Sequence, residues 1–179
     1  VPFKLIHSNE SQKKDDIVEY SEYITSTDAM SEEEWAKSLL FASYIQGLHN
    51  LGLLRALAIY YRHEHNLSYN DFYNKLLSYS KESKGTLLNT VYERISKLCL
   101  GIISGSNELV ATCEGLGDVL WGFDELIFLE FYKNLEVFYK EVKECFKGID
   151  ENDDVVDALF KYQLDIIKKI GVEHPVISS

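Results

Sequence analysis

The sequence predicts an all-α fold: a single-domain bundle of five or six helices behind an extended or irregular N-terminal lead-in. Three observations carry this. Proline is confined to Pro2 and Pro175, so nothing interrupts long helices. Apolar residues recur at three- and four-residue spacing through most of the chain beyond residue 30. Ser, Thr, Asn, Asp and Gly stand where such runs begin and stop. At 179 residues and 46% hydrophobic, the chain is long enough for a sizeable core and too apolar to stay unfolded.

Residues 1–30 form the lead-in. Lys13-Lys14-Asp15-Asp16 reads as a solvated turn, and 22–26 is the one stretch with strand character. The helical domain is expected over 31–172. It opens at Ser31, whose hydroxyl is placed to accept from the first-turn amides, with Glu34 at the capping-box position and Glu32 and Glu33 suiting the positive dipole end. Trp35, Leu39, Ala42, Ile45 and Leu48 keep a helical period; Gly47 and Gly52 loosen it, and Asn50 is placed to cap a second helix through about Arg62. Ser68 to Asp71 starts a third, with Phe72, Leu76 and Tyr79 on one side. Gly85-Thr86 separates it from a fourth, whose stripe is Leu88, Val91/Tyr92, Ile95, Leu98/Cys99 and Ile102, ended by Gly101 and Gly105. The glycine-punctuated stretch 105–122 reads as a short helix or a loop. Asp124 to Lys147 is the longest amphipathic run, apolar at Ile127, Phe131, Leu135, Phe138, Val142 and Cys145, with Lys140, Glu141 and Glu144 opposite. Asp150 to Asp154 opens a last helix, closed by Gly171.

Composition narrows the function. A formal charge of −11 repels phosphate backbones and anionic lipid, so neither nucleic acid nor membrane is expected as a partner. The three cysteines, Cys99, Cys113 and Cys145, are odd in number and widely spaced, which predicts free, buried thiols and a cytoplasmic location. The N-terminus, Val1-Pro2-Phe3, has neither a starting Met nor a signal-peptide pattern, as expected of a piece of a longer protein.

The most apolar segment, Leu39 to Tyr61, is long enough to span hydrocarbon. However, Arg55 toward its middle would cost about 2.5–3.5 kcal/mol there. Gln46, His49 and Asn50 add to that, so two consecutive buried helices are expected instead. No metal site is expected. His63-Glu64-His65 puts two imidazoles on different helix faces and lacks the H-E-x-x-H spacing. Asp150, Asn152 and Asp154 begin like a calcium loop, but Val155 stands where glycine is needed and Lys161 where Glu is needed. Gly115, Gly117 and Gly122 do not make G-x-G-x-x-G, because position 120 is Leu120. No catalytic set, no cofactor-binding residue and no C-x-x-x-C-x-x-C cluster motif is present. One polar constellation remains: Gln46, His49 and Asn50, three and four apart on one helix face. Either they satisfy one another and the backbone, or they form a polar strip facing a ligand or a neighbouring domain.

Several stretches in order resemble the region that follows the catalytic barrel in cobalamin (B12)-binding radical SAM proteins. They are Tyr23 to Trp35 (YITSTDAMSEEEW), Gln46 to Leu53 (QGLHNLGL), Asp71-Phe72-Tyr73, Trp121 to Tyr139 (WGFDELIFLEFYKNLEVFY) and Lys161-Tyr162-Gln163. The resemblance implies a parent enzyme that uses a [4Fe-4S] cluster, S-adenosylmethionine and cobalamin. This chain would be an accessory helical domain, inactive alone, packed on the catalytic barrel of the parent chain, with Gln46, His49 and Asn50 as substrate-facing candidates. Two other readings stand beside it: a free-standing helical module binding a protein partner through an apolar groove, and a helical enzyme or sensor enclosing a small ligand near His49.

Overall fold

The computed structural model describes residues 2–4, 20–106, 109–149 and 153–167. Most of them are helical. Seven α-helices are described: α1 (Glu32–Tyr44), α2 (Arg55–Glu64), α3 (Tyr69–Glu82), α4 (Leu87–Ile103), α5 (Phe123–Tyr132), α6 (Leu135–Phe146) and α7 (Asp153–Ile166). A six-residue π-helical turn, Ile45–Asn50, continues α1. Two small antiparallel pairs complete the fold, β1 (Pro2–Lys4) with β2 (Tyr20–Glu22), and β3 (Val110–Thr112) with β4 (Leu120–Gly122). The buried apolar side chains form one contiguous cluster.

Three helix starts sit where the sequence put them, because each cap is local. The Ser31 hydroxyl accepts from the Glu34 amide, and the Glu34 carboxylate accepts from the Ser31 amide at 2.8 Å, a complete capping box. Ser68 caps α3 through the Asp71 amide, and Thr86 caps α4 through the Asn89 amide. Helix α4 is the centre, packed by α1, α3, α5 and α6. Of its predicted stripe, Leu88, Val91, Ile95, Cys99 and Ile102 are buried, and Tyr92 and Leu98 pack half-buried against the core. Aromatic pairs join the other helices: Phe72 of α3 stacks on Phe146 of α6 with ring centroids 4.4 Å apart, and Phe131 of α5 on Phe138 of α6 at 4.3 Å. All three cysteines are free and buried, and burial pushes the Cys99 and Cys145 thiols up to about 12.

Several expectations are corrected. The strand placed at 22–26 is β2, Tyr20–Glu22, and Thr25 is buried in the loop beyond it. Asn50 caps no helix, since α2 begins at Arg55 after an irregular turn. Gly101 lies inside α4, which runs on to Ile103; the chain turns out at Gly105 with φ +87°. The stretch 105–122 holds the β3–β4 hairpin. The run from Asp124 to Lys147 is two helices broken at Lys133-Asn134. Its apolar period runs unbroken through Phe131, Leu135 and Phe138, so the period alone could not reveal the fold-back in which Phe131 stacks on Phe138. Glu141, expected in solvent, reaches from α6 to cap α4, accepting from the Leu87 and Leu88 amides at 2.9 and 2.8 Å. The Lys13–Asp16 turn, Asp150, Asn152 and the Gly171 stop lie outside the described residues. Among the described residues, no helix is long and apolar enough to cross a membrane.

Candidate functional site

The polar strip sits on the π-helical turn. A π turn carries bonds from residue i to i+5, seen here in Leu51 donating to the Gln46 carbonyl at 3.0 Å. Such turns inside helices concentrate at functional sites. Gly47 explains why this one is held so close to α5. A Cβ there would stand 2.6 Å from the Asp124 carbonyl oxygen and 3.2 Å from Ile127.

The structure splits the three predicted residues. Gln46 and Asn50 are exposed and bonded to each other, the Asn50 amide donating to Gln46 Oε1 at 2.5 Å. His49 turns inward, half-buried against α3. Its Nδ1 lies 3.1 Å from the Tyr73 hydroxyl, and its ring meets Tyr69 and Tyr73 edge to face with centroids 5.2 and 5.9 Å apart. Burial holds the imidazole below its ordinary pKa, and the Arg55 guanidinium adds to this, so the ring is neutral at pH 7. Burial likewise raises the Tyr73 phenol, which keeps its proton. A neutral ring bonded at Nδ1 keeps Nε2 as its second hydrogen-bonding atom, a donor or an acceptor set by the tautomer.

Arg55, read from sequence only as an obstacle to membrane insertion, holds the turn shut. Its Nε donates to the His49 carbonyl at 2.9 Å, and one terminal nitrogen donates to the Asn50 carbonyl. The next residues are held from far away. Gln163 of α7 is fully buried; its Nε2 donates to the Gly52 carbonyl at 2.6 Å and its Oε1 accepts from the Ala56 amide at 2.8 Å. The Tyr139 hydroxyl of α6 donates to the Leu53 carbonyl at 3.1 Å. Sequence reasoning missed both roles. The available signal was a glutamine on the apolar side of an amphipathic helix, three residues after Phe160.

Beside the turn lies an open groove of about 510 Å³. Asn50 and Arg55 form its polar end, Phe128, Leu129 and Tyr132 of α5 one wall, and Ile166 and Ile167 the other. The groove offers the Asn50 amide and the Arg55 guanidinium beside apolar walls. It suits recognition of a polar group on an apolar body. It holds no nucleophile–base pair.

The described residues do not fit an iron–sulfur cluster. The thiols sit on separate elements, α4, the β3–β4 loop and α6, and no group of three or more His, Cys, Asp or Glu among them is placed to hold a metal.

No protein-family model matches the chain. It is similar to 2-(S-pantetheinyl)-carbapenam-3-carboxylate methyltransferase of Streptantibioticus cattleyicolor, 26% identical across 92% of this chain. It is also similar to the cobalamin-dependent radical SAM methyltransferase TokK of Streptomyces tokunonensis, 26% identical across 86% of this chain. The chain spans about a quarter of these curated relatives, 26% and 25% of their lengths. Both relatives are named as methyltransferases, the second as a cobalamin-dependent radical SAM one, and each match covers most of this chain.

Proposed function

We propose that this chain is the accessory helical domain of a cobalamin-dependent radical SAM enzyme. It packs beside the catalytic barrel and turns the π-helical turn, with exposed Gln46, Asn50 and Arg55 and half-buried His49, toward the substrate site. One observation carries the reading: most of this chain aligns with only a quarter of each of two much longer methyltransferases. The helical fold, without a catalytic set of its own among the described residues, agrees with a supporting role. The cluster, S-adenosylmethionine and cobalamin belong on this reading to the rest of the parent. What this chain supplies is binding and orientation: a neutral imidazole, two side-chain amides and a guanidinium on a turn held rigid by Arg55, Tyr139 and Gln163.

The test uses the whole open reading frame. It should encode a C-x-x-x-C-x-x-C motif outside residues 1–179, and the reconstituted product should bind cobalamin and a four-iron cluster and transfer a methyl group. In that protein, Asn50→Ala and His49→Phe should each raise the substrate KM roughly threefold to tenfold, the size of a lost hydrogen bond, with cofactor content unchanged. A reading frame without the motif would overturn the proposal and leave the free-standing interaction module. Unchanged KM in both variants would overturn the substrate-facing part alone.

A further inference from the structure

The groove beside the π-helical turn contains a guanidinium with donors to spare. Arg55 presents its N–H donors in a rigid plane. Nε and the terminal nitrogen on the same side, Nη2, donate to the His49 and Asn50 carbonyls. Those two bonds occupy one edge of the plane and fix its direction. The far edge, formed by Nη1 and the second hydrogen of Nη2, makes no bond to protein among the described residues. Arg55 is exposed and lines the groove. Two parallel N–H groups on such an edge match the two oxygens of a carboxylate.

The charge is uncompensated too. Lys84, Arg94, Lys133, Lys143 and Lys147 each meet a carboxylate, whereas Arg55 belongs to no ion pair among the described residues. The groove's lining contains no carboxylate, and Asp165, next to Ile166 in sequence, is exposed and is not part of it. At His49 and Tyr73 burial is the main influence and the Arg55 charge comes next; no carboxylate acts on either ring. In a chain of −11 this is a local positive end to an otherwise apolar trough. The walls decide the rest of the ligand. Leu51 and Ile166 line the groove while 47% and 51% exposed, so an apolar body laid there would cover them. The volume, about 510 Å³, is that of a small-molecule site. Its open side leaves part of a bound molecule uncovered, as a substrate requires if its reacting carbon is to be reached from elsewhere.

We infer that this groove binds a small monocarboxylate with an apolar body, its carboxylate on the open edge of Arg55 and its body between α5 and α7. That the molecule is the parent's substrate rests on the accessory-domain reading; its chemical class and the residue that selects it rest on the groove. The test uses the whole protein and two photoreactive probes, trifluoromethyl-diazirinyl benzoate and the benzyl alcohol of the same ring. After irradiation and peptide mapping, the acid should label α5 at Phe128 to Tyr132, or α7 at Ile166, at least about tenfold more than the alcohol, the size of a charge-assisted hydrogen bond. Benzoate should compete, and inorganic phosphate, which has charge without an apolar body, should not. Because the two probes are compared on unchanged protein, the result does not depend on how well a variant folds. Arg55→Lys keeps the charge but loses the planar edge, so the preference for the acid should shrink. Ile166→Asp, which sets a carboxylate at the rim, should abolish the preference, while Ile166→Asn retains it. Equal labelling by acid and alcohol, no labelling of the groove, or competition by phosphate as strong as by benzoate would each overturn the inference. A parent that still binds cobalamin and its cluster would then leave the accessory-domain reading standing. Acid-selective labelling in a protein whose reading frame lacks the cluster motif would uphold the carboxylate groove and overturn that reading instead.

Discussion

Gln163→Leu is the sharpest perturbation the structure offers. Leucine nearly matches glutamine in volume, so the packing of α7 changes little. What is lost is two hydrogen bonds to backbone, from Nε2 to the Gly52 carbonyl and from the Ala56 amide to Oε1. Each stranded backbone group costs about 1–3 kcal/mol when buried. Gly52 and Ala56 are themselves half-buried, which favours the lower half of that range. The sum is a loss of about 2–4 kcal/mol. For a chain of this size that lowers Tm by roughly 5–15 °C. Thermal unfolding followed by circular dichroism measures it, with exposed Lys161→Ala on the same helix as the control, expected within about 0.5 kcal/mol. Hydrogen exchange gives a local readout, because the Ala56 amide should lose its protection while the Leu76 and Ile95 amides keep theirs relative to global unfolding. A Tm within about 2 °C of wild type, or a large loss with Ala56 still protected, would refute the argument that a distant side chain caps α2.

Three further outcomes follow from the same geometry. Glu141→Ala removes both acceptors at the start of α4 and should cost about 1–3 kcal/mol in urea unfolding, with faster exchange at Leu87 and Leu88; a neutral result would mean that Thr86 suffices. Gly47→Ala forces the π turn away from the Asp124 carbonyl and should cost about 1–3 kcal/mol, with exchange rising in α5; wild-type stability would show that the close approach is slack. His49 binds its proton more weakly in the folded chain than in the unfolded one. Its contribution is therefore complete above the ordinary value of 6.5 and is lost as pH falls below it, because the unfolded state takes up the proton first. Urea titrations of wild type and His49→Gln should accordingly diverge between about pH 7.5 and 5.5, the variant having the flatter profile; parallel profiles would exclude the burial of this ring.

The candidate site was half legible. Gln46, His49 and Asn50 stood out because polar side chains inside the most apolar segment demand an explanation. Their spacing correctly paired Gln46 with Asn50. It placed His49 on the same face, yet the π turn sends that ring to Tyr73 on the next helix. No local rule marks a π turn in this segment. Gly47 is its nearest sign, and the reason for that glycine is a carbonyl on α5 some eighty residues away. Arg55 was noticed for its charge and given no structural role, because its acceptors are main-chain carbonyls that every residue carries.

What the sequence determined by itself is the helical class, the starts of α1, α3 and α4, the buried stripe of α4 and the buried thiols. These depend on side chains within one or two turns of each other, so spacing alone encodes them. Tertiary structure decided where α2 begins, which acid caps α4, where α5 folds back into α6, and that β3 and β4 pair between helices. Gln163 meets Ala56 across 107 residues and Glu141 meets Leu87 across 54. A hydrogen bond across such a span exists only once the core has brought its two ends together, and burial then makes it costly to leave unmade.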